Sequence, residues 1–274
     1  MFADLNLPGA LGVKVSSLLE WLKSRGSVIV MMSGGVDSGV LAYLSSLVLP
    51  DSTYGVTVKS ASMISESVSE ASSMAKCFNI FHRVLEIDVL SVNGVTGNPK
   101  DRCYLCKKAI IKKVREFAAK IGVETVLDGS NMDDFQGYRP GRRALEEGGV
   151  VSPFILFKLG KKDIRIIADK AGLYFRDKPS ESCLFTRFPY NTEIKLADLK
   201  RVEAAERIVK DILGVSLVRV RDYGFWCRLE LNSKEFAFVL DKHIRERLVE
   251  CIKKLGYKYV TLDLEGYRSG SMDL

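Results

Sequence analysis

Residues 33 to 38 read Ser33-Gly34-Gly35-Val36-Asp37-Ser38, and this stretch decides the fold. An apolar strand-like run, Ser27-Val28-Ile29-Val30-Met31-Met32, precedes it, and a helix-like run, Val40-Leu41-Ala42-Tyr43-Leu44, follows. The hexapeptide therefore lies where a strand of an open α/β sheet turns into a helix. There, free backbone N–H groups and the positive end of the helix dipole can hold phosphate. The two glycines allow a tight bend and close approach to an anion, and the serines add hydroxyl donors. No G-x-x-x-x-G-K-[ST] occurs in the sequence, so the loop is not that of a γ-phosphate-cleaving NTPase. The plainer alternative is a Gly-Gly turn that caps a helix through Asp37 or Ser38. Agreement between motif and strand–helix context speaks against it.

Outward from the loop, strands and helices alternate. Residues 15–24 place Leu18, Leu19 and Leu22 at helical spacing. A second strand is predicted at 54–58, a helix at 65–77, a third strand at 84–89, a helix at 103–119 and a fourth strand at 125–127. The last of these runs into Asp128-Gly129-Ser130. This order predicts a doubly wound, mainly parallel sheet with ligands at the carboxyl ends of its strands. The pattern changes after about residue 173. A helix at 197–212, strands at 217–221 and 225–231, a helix at 240–254 and a last strand at 259–264 form a smaller α+β unit. The expected division is 1–190 for the phosphate-loop domain and 191–274 for a substrate-binding or oligomerisation domain.

The bulk properties agree. The chain has 274 residues, 47% hydrophobic and 27% charged, enough for two ordinary globular cores. No leader-like start and no membrane-length apolar run is present, so a cytoplasmic location is expected. The formal charge of +7 favours anionic partners, which nucleotides satisfy without RNA.

Six cysteines in such a chain argue against a disulfide framework and for metal or redox chemistry in any cluster. Cys103-Tyr104-Leu105-Cys106 starts a predicted helix, with both thiols on one face and Arg102, Lys107 and Lys108 adjacent. Cys183 lies in the irregular segment that ends the first domain. Three thiolates could bind a [4Fe–4S] cluster and leave one iron open, with zinc the competing metal. Cys77, Cys227 and Cys251 read as small buried hydrophobes.

The Ser33–Ser38 hexapeptide resembles the PP-loop of the N-type ATP pyrophosphatases, which include NAD and GMP synthetases and tRNA-thiolating enzymes. Further stretches narrow this. They are Leu127-Asp128-Gly129-Ser130-Asn131, Tyr138-Arg139-Pro140-Gly141, Ser152-Pro153-Phe154 and Lys161-Lys162-Asp163-Ile164-Arg165. Glu181-Ser182-Cys183-Leu184-Phe185-Thr186-Arg187-Phe188-Pro189-Tyr190, Val218-Arg219-Val220-Arg221 and the C-terminal Gly266-Tyr267-Arg268-Ser269-Gly270 complete the series. Together they resemble the LarE family of ATP-dependent sulfur transferases of nickel-pincer cofactor synthesis.

The resemblance implies the following. ATP with Mg2+ is bound at Ser33, Gly34, Gly35, Asp37, Ser38 and Gly129, with Asp37 and Ser38 also catalytic. A carboxylate of a pyridinium dicarboxylate mononucleotide is adenylated, pyrophosphate leaves, and sulfur replaces the activated oxygen. Arg219 and Arg221, alternating on one strand face, suit a forked grip on the nucleotide phosphate, and Arg187 could serve similarly. Their plain alternative is a solvated basic strand face. Glu206 and Glu230 match acidic positions of the family. In one branch the cysteine matching Cys183 gives up its own sulfur. This chain, with Cys103, Cys106 and Cys183, resembles the three-cysteine branch, whose [4Fe–4S] cluster carries sulfide from a sulfur donor. A homo-oligomer is implied, and no membrane or nucleic-acid partner is expected. The competing functions are a cluster-dependent tRNA thiolase, an ammonia-using NAD synthetase-like enzyme, and a non-catalytic nucleotide- or metal-binding module.

Overall fold

The computed structural model describes residues 7–135, 140–268 and 270–272; Tyr138, Arg139 and Ser269 of the quoted stretches lie outside them. The chain divides into two units, one of Met1–Val92 with Asp101–Glu181 and one of Asn93–Lys100 with Ser182–Leu274.

The first unit runs α1 (Gly9–Lys23), β1 (Val28–Met31), α2 (Val36–Val48), β2 (Thr53–Lys59), α3 (Glu66–Cys77), β3 (Phe81–Glu86), α4 (Arg102–Ile121), β4 (Thr125–Leu127), α5 (Pro140–Glu147), α6 (Pro153–Leu156) and α7 (Lys161–Lys170). The strands form one sheet in the order β3-β2-β1-β4. Every pairing is parallel, with Val28 opposite both Thr53 and Thr125. The alternation of β1 shows why helices cover both faces. Val28, Val30 and Met32 join a core with residues of α1, α2 and α7, whereas Ile29 joins a second core with Ile111, Val114 and Ala118 of α4. A strand buried on both sides reads as a continuous apolar run, which is how β1 reads in the sequence. The doubly wound parallel expectation holds.

One strand differs from its expected place. β3 starts three residues earlier than 84, pairing Tyr54 with Phe81 and Lys59 with Glu86. It is the sheet edge, where Phe81 is exposed despite being apolar and Arg83 and Glu86 are exposed and charged, so no in–out pattern marks its start; backbone register set it.

The second unit runs α8 (Leu196–Leu213), β5 (Val218–Asp222), β6 (Trp226–Leu231), α9 (Phe236–Leu240), α10 (Lys242–Lys253) and β7 (Tyr259–Leu262). β5 and β6 are antiparallel, and β7 adds parallel to β6. Val209, Leu213, Val220, Leu229, Leu248 and Ile252 share its core. Residues 182–190, expected with the first domain, group with this unit. The reason is polar: the Arg187 guanidinium is ion-paired to Glu206 of α8 at 2.7 Å. The segment 93–100 groups there too, because Asn98 Nδ2 donates to the carbonyls of Phe188 (3.2 Å) and Pro189 (2.7 Å). Among the described residues, no helix is long and apolar enough to cross a membrane.

Candidate active site

In the order β3-β2-β1-β4, the chain reverses direction of progression between β1 and β4. Ligands of open α/β sheets bind at such a switch point, beyond the carboxyl ends of the strands. The Ser33–Ser38 loop follows β1, and Asp128-Gly129-Ser130 follows β4. The two approach so closely that a Cβ on Gly129 would lie 2.8 Å from the Ser38 nitrogen. Gly129 therefore serves close backbone contact with the first turn of α2.

Within the loop, Gly34 has φ +75°, and a Cβ there would stand 2.4 Å from the Ser67 carbonyl oxygen. Gly35 has φ −92° and precedes the first residue of α2. The Ser38 hydroxyl receives the Ser33 N–H at 3.1 Å and lies 3.2 Å from the Gly35 carbonyl oxygen. The Ser33 and Ser38 hydroxyls are 3.1 Å apart. The loop is thus held in shape by its own serines.

Asp37, in the first turn of α2, accepts from Asn131 Nδ2 at 3.1 Å, and Lys161 Nζ lies 3.6 Å from the same oxygen, Oδ2. Its other oxygen, Oδ1, is buried with no hydrogen-bond partner. Burial raises its pKa above the ordinary 3.8 against the lowering pull of Lys161, with Asp134 adding to the rise. Asp128 shows the opposite balance. Burial pushes it up, but Lys107 at 3.3 Å and hydrogen bonds from Ser130 and Ser152 outweigh this and hold it below the usual range. An ionised Asp128 thus anchors Lys107, a residue of the α4 turn that also carries Cys106. Lys107, Asn131 and Lys161 stand among the quoted motifs or beside them, yet nothing local in the sequence marks them as neighbours of the loop. Only the strand order does.

Cys103 is exposed and Cys106 half-buried on the N-terminal turn of α4, in the first unit; Cys183, also half-buried, belongs to the second. The six cysteines form no disulfide. Among the described residues, no group of three His, Cys, Asp or Glu side chains is assembled to hold a metal ion. Of the three cysteines read as buried, Cys227 is buried, Cys251 is half-buried and Cys77 is exposed, since it ends α3 on an open turn. His82 is a strand residue, its ring bridging Thr57 and Ser72 hydroxyls at 2.8 and 3.2 Å.

The second unit gathers its own polar cluster around Cys183. Arg187 is fully buried. Its Nε and Nη2 donate to both oxygens of Glu206, at 2.7 and 2.9 Å, and its Nη1 to the Ser182 carbonyl (3.0 Å) and hydroxyl (2.7 Å). Arg187 thereby contacts the backbone that carries Cys183. Arg221 donates to Glu230 at 2.6 Å and to the Thr186 carbonyl at 2.8 Å. Arg219 lies beside the Tyr267 ring. Burial, and then the nearby Arg187 charge, lower its pKa. Arg219 and Arg221 are 2% and 4% exposed, so β5 does not present the solvated basic face weighed above. Glu206 is buried in its ion pair with Arg187 and also accepts the Val220 N–H at 3.0 Å, and Glu230 is buried against Arg221 and Arg228. Such a concentration of buried cations suits recognition of an anion.

A parallel α/β sheet bearing this phosphate loop at its switch point defines a PP-loop nucleotide-binding fold. The comparisons agree: the family model of NAD synthase matches residues 14–102. An uncharacterised protein of Synechocystis is 35% identical over 95% of this chain and 97% of its own. The pyridinium-3,5-bisthiocarboxylic acid mononucleotide synthase of Lactiplantibacillus plantarum is 32% identical over 96% of this chain and 95% of its own. More distantly, a probable tRNA sulfurtransferase of Methanobrevibacter smithii is 27% identical, covering 68% of this chain and 51% of its own. The chain belongs to the LarE family.

Proposed function

We propose that this protein is an ATP-dependent sulfur transferase that adenylates a carboxylate of a pyridinium dicarboxylate mononucleotide and replaces the activated oxygen with sulfur. The observation that carries the reading is the Ser33–Ser38 loop at the sheet's switch point, without a Walker lysine. It stands in a chain similar along its whole length to a synthase of a bisthiocarboxylic acid mononucleotide.

The chemistry follows from the groups present. Carboxylate oxygen is a poor leaving group, and a mixed anhydride with AMP makes it a good one. Loop N–H groups and the N-terminus of α2 would hold the phosphates that depart as pyrophosphate. Asp37, with a buried oxygen that lacks a partner, fits a Mg2+ ion brought in with ATP; the ion would neutralise charge developing on the leaving pyrophosphate. Lys107 and Lys161, each close to a carboxylate of the loop region, add positive charge beside the phosphates. In the second unit, Arg219 and Arg221 would bind the phosphate of the substrate nucleotide, while Arg187 holds the backbone at Cys183.

Cys103, Cys106 and Cys183 would be the ligands of a [4Fe–4S] cluster, or of zinc. Two of them on one helix turn, beside Lys107 and outside any disulfide, fit that use. A cluster with three protein ligands would supply an open iron for an exogenous sulfide. The similarity to tRNA sulfurtransferases supports a second reading in which the acceptor is a tRNA base. An ammonia-using reaction would leave the thiols without a role.

Pyrophosphate release on mixing the protein with MgATP and the dicarboxylate mononucleotide tests the proposal. Release of orthophosphate instead, or release dependent on tRNA and not on the mononucleotide, would overturn it.

A further inference from the structure

We infer that Lys178 is a positioning residue for the adenylation step. It holds the phosphate loop in its anion-binding form and joins that loop to the segment leading into Cys183. The inference rests on the ATP-using reading above and names a residue that none of the motif arguments reached.

Lys178 follows α7 in sequence, more than a hundred residues from the loop, yet its ammonium lies beneath it. Nζ donates to the Gly34 carbonyl oxygen at 3.0 Å and to Glu70 of α3, and stands 3.4 Å from Glu181. An ammonium has three N–H donors, and here three acceptors surround it. The side chain is only 13% exposed, so this is a built-in arrangement rather than a surface pairing. The same Glu181 oxygen, Oε2, also accepts the Ser67 hydroxyl at 2.9 Å. Ser67 also supplies the carbonyl against which Gly34 packs. Lys178, Glu70, Ser67 and Glu181 thus form one network around one peptide of the loop.

The consequence for phosphate binding is geometric. A trans peptide points its C=O and the following N–H in opposite directions. Capture of the Gly34 oxygen by Lys178 turns the Gly35 N–H to the far side. Its nearest acceptor there is the Ser33 hydroxyl at a long 3.4 Å. That N–H is left well placed for an incoming phosphate oxygen. Gly34, at φ +75°, has the freedom to let this peptide flip, so the orientation needs an external hold. Lys178 also places a positive charge near bound phosphate while two carboxylates compensate it in the empty loop.

Glu181 carries the second consequence. It is the last residue of the first unit, and Cys183 is two residues further along. Phosphate drawing on the Lys178 charge weakens the hold on Glu181, and the state of the loop is passed to the chain at Cys183.

The test uses the full-length protein with Lys178→Met and Lys178→Arg. Pyrophosphate release is measured against MgATP concentration, and Cys183 alkylation by iodoacetamide is followed by peptide mass spectrometry with and without MgATP. Lys178→Met is expected to raise the KM for MgATP at least tenfold with a smaller fall in kcat. MgATP is expected to change the Cys183 alkylation rate at least twofold in the parent, and Lys178→Met should abolish that effect; a parent whose Cys183 alkylation ignores MgATP overturns the link to Cys183. Lys178→Arg, which keeps the charge, should recover most of the KM. A Lys178→Met protein with KM within twofold of the parent, or with MgATP-sensitive Cys183 alkylation retained, overturns the inference and leaves the proposed function standing. A parent protein that releases no pyrophosphate removes both.

Discussion

The phosphate loop contains two adjacent glycines whose replacement by alanine should have opposite consequences. At Gly34 the backbone is left-handed, and a Cβ would sit 2.4 Å from the Ser67 carbonyl oxygen. The conformation alone costs about 1–2 kcal/mol for an L-residue. Relieving the overlap by shifting backbone adds about 1–3 kcal/mol. Gly34→Ala should therefore lose roughly 2–5 kcal/mol from the first unit. At Gly35, φ is −92°, and the nearest atom to an added Cβ is the Ser33 Oγ at 3.4 Å. Alanine in place of glycine before a helix costs about 1 kcal/mol or less. Its methyl would instead stand where phosphate approaches the backbone. Gly35→Ala should fold normally and lose pyrophosphate release at least tenfold. The chain has two tryptophans, Trp21 in the first unit and Trp226 in the second. In a Trp226→Phe background, Trp21 fluorescence during urea unfolding reports on the first unit alone. Gly34→Ala should lower the midpoint by on the order of 1–2 M. A midpoint unchanged for Gly34→Ala, or lowered as much for Gly35→Ala, would refute the reasoning.

Asp37 should give the acid limb of the pH profile. Burial raises its pKa, so it takes up a proton at a higher pH than an ordinary aspartate, and as pH is lowered Mg2+-dependent pyrophosphate release should already fall before the usual carboxylate range is reached. By the same sign, its ionised form opposes folding once pH exceeds the ordinary 3.8. Asp37→Asn should thus abolish turnover without destabilising the unit at neutral pH, as activity and unfolding measured together will show. In the second unit, Glu206→Ala leaves Arg187 buried and unpaired, a loss of about 3–5 kcal/mol; Trp226 fluorescence should report it. Cys227, whose thiol burial pushes up to about 12, should resist alkylation at pH 8 while the exposed Cys103 reacts. Peptide mass spectrometry after brief iodoacetamide treatment distinguishes them. Protein prepared without oxygen should carry iron lost on Cys103→Ser, Cys106→Ser or Cys183→Ser, but not on Cys77→Ser; metal analysis decides.

The sequence by itself determined the sheet, the loop and the family. β1 is apolar on both faces and ends in Ser33-Gly34-Gly35, so one strand disclosed a doubly wound sheet and the place of its ligand. Local signals of this kind survive in the sequence because strand burial and tight backbone approach each demand particular residue types. The start of the edge strand β3 lies outside this kind of signal, because it depends on register with β2 and its own outward residues are exposed whether apolar or charged. Tertiary structure alone decided which charges meet. Lys178 reaches Gly34, Lys161 reaches Asp37 and Lys107 reaches Asp128 only because the strand order brings their segments to one end of the sheet. Arg187 shows the same limit from the other side. Its motif gives a basic residue near Cys183, and only the fold shows it buried against Glu206 and donating to the Ser182 carbonyl. A charged side chain carries the same letter whether it faces solvent, a ligand or a buried carboxylate. Its role is set by the dielectric around it and by partners distant in the chain, and neither is written in the local sequence.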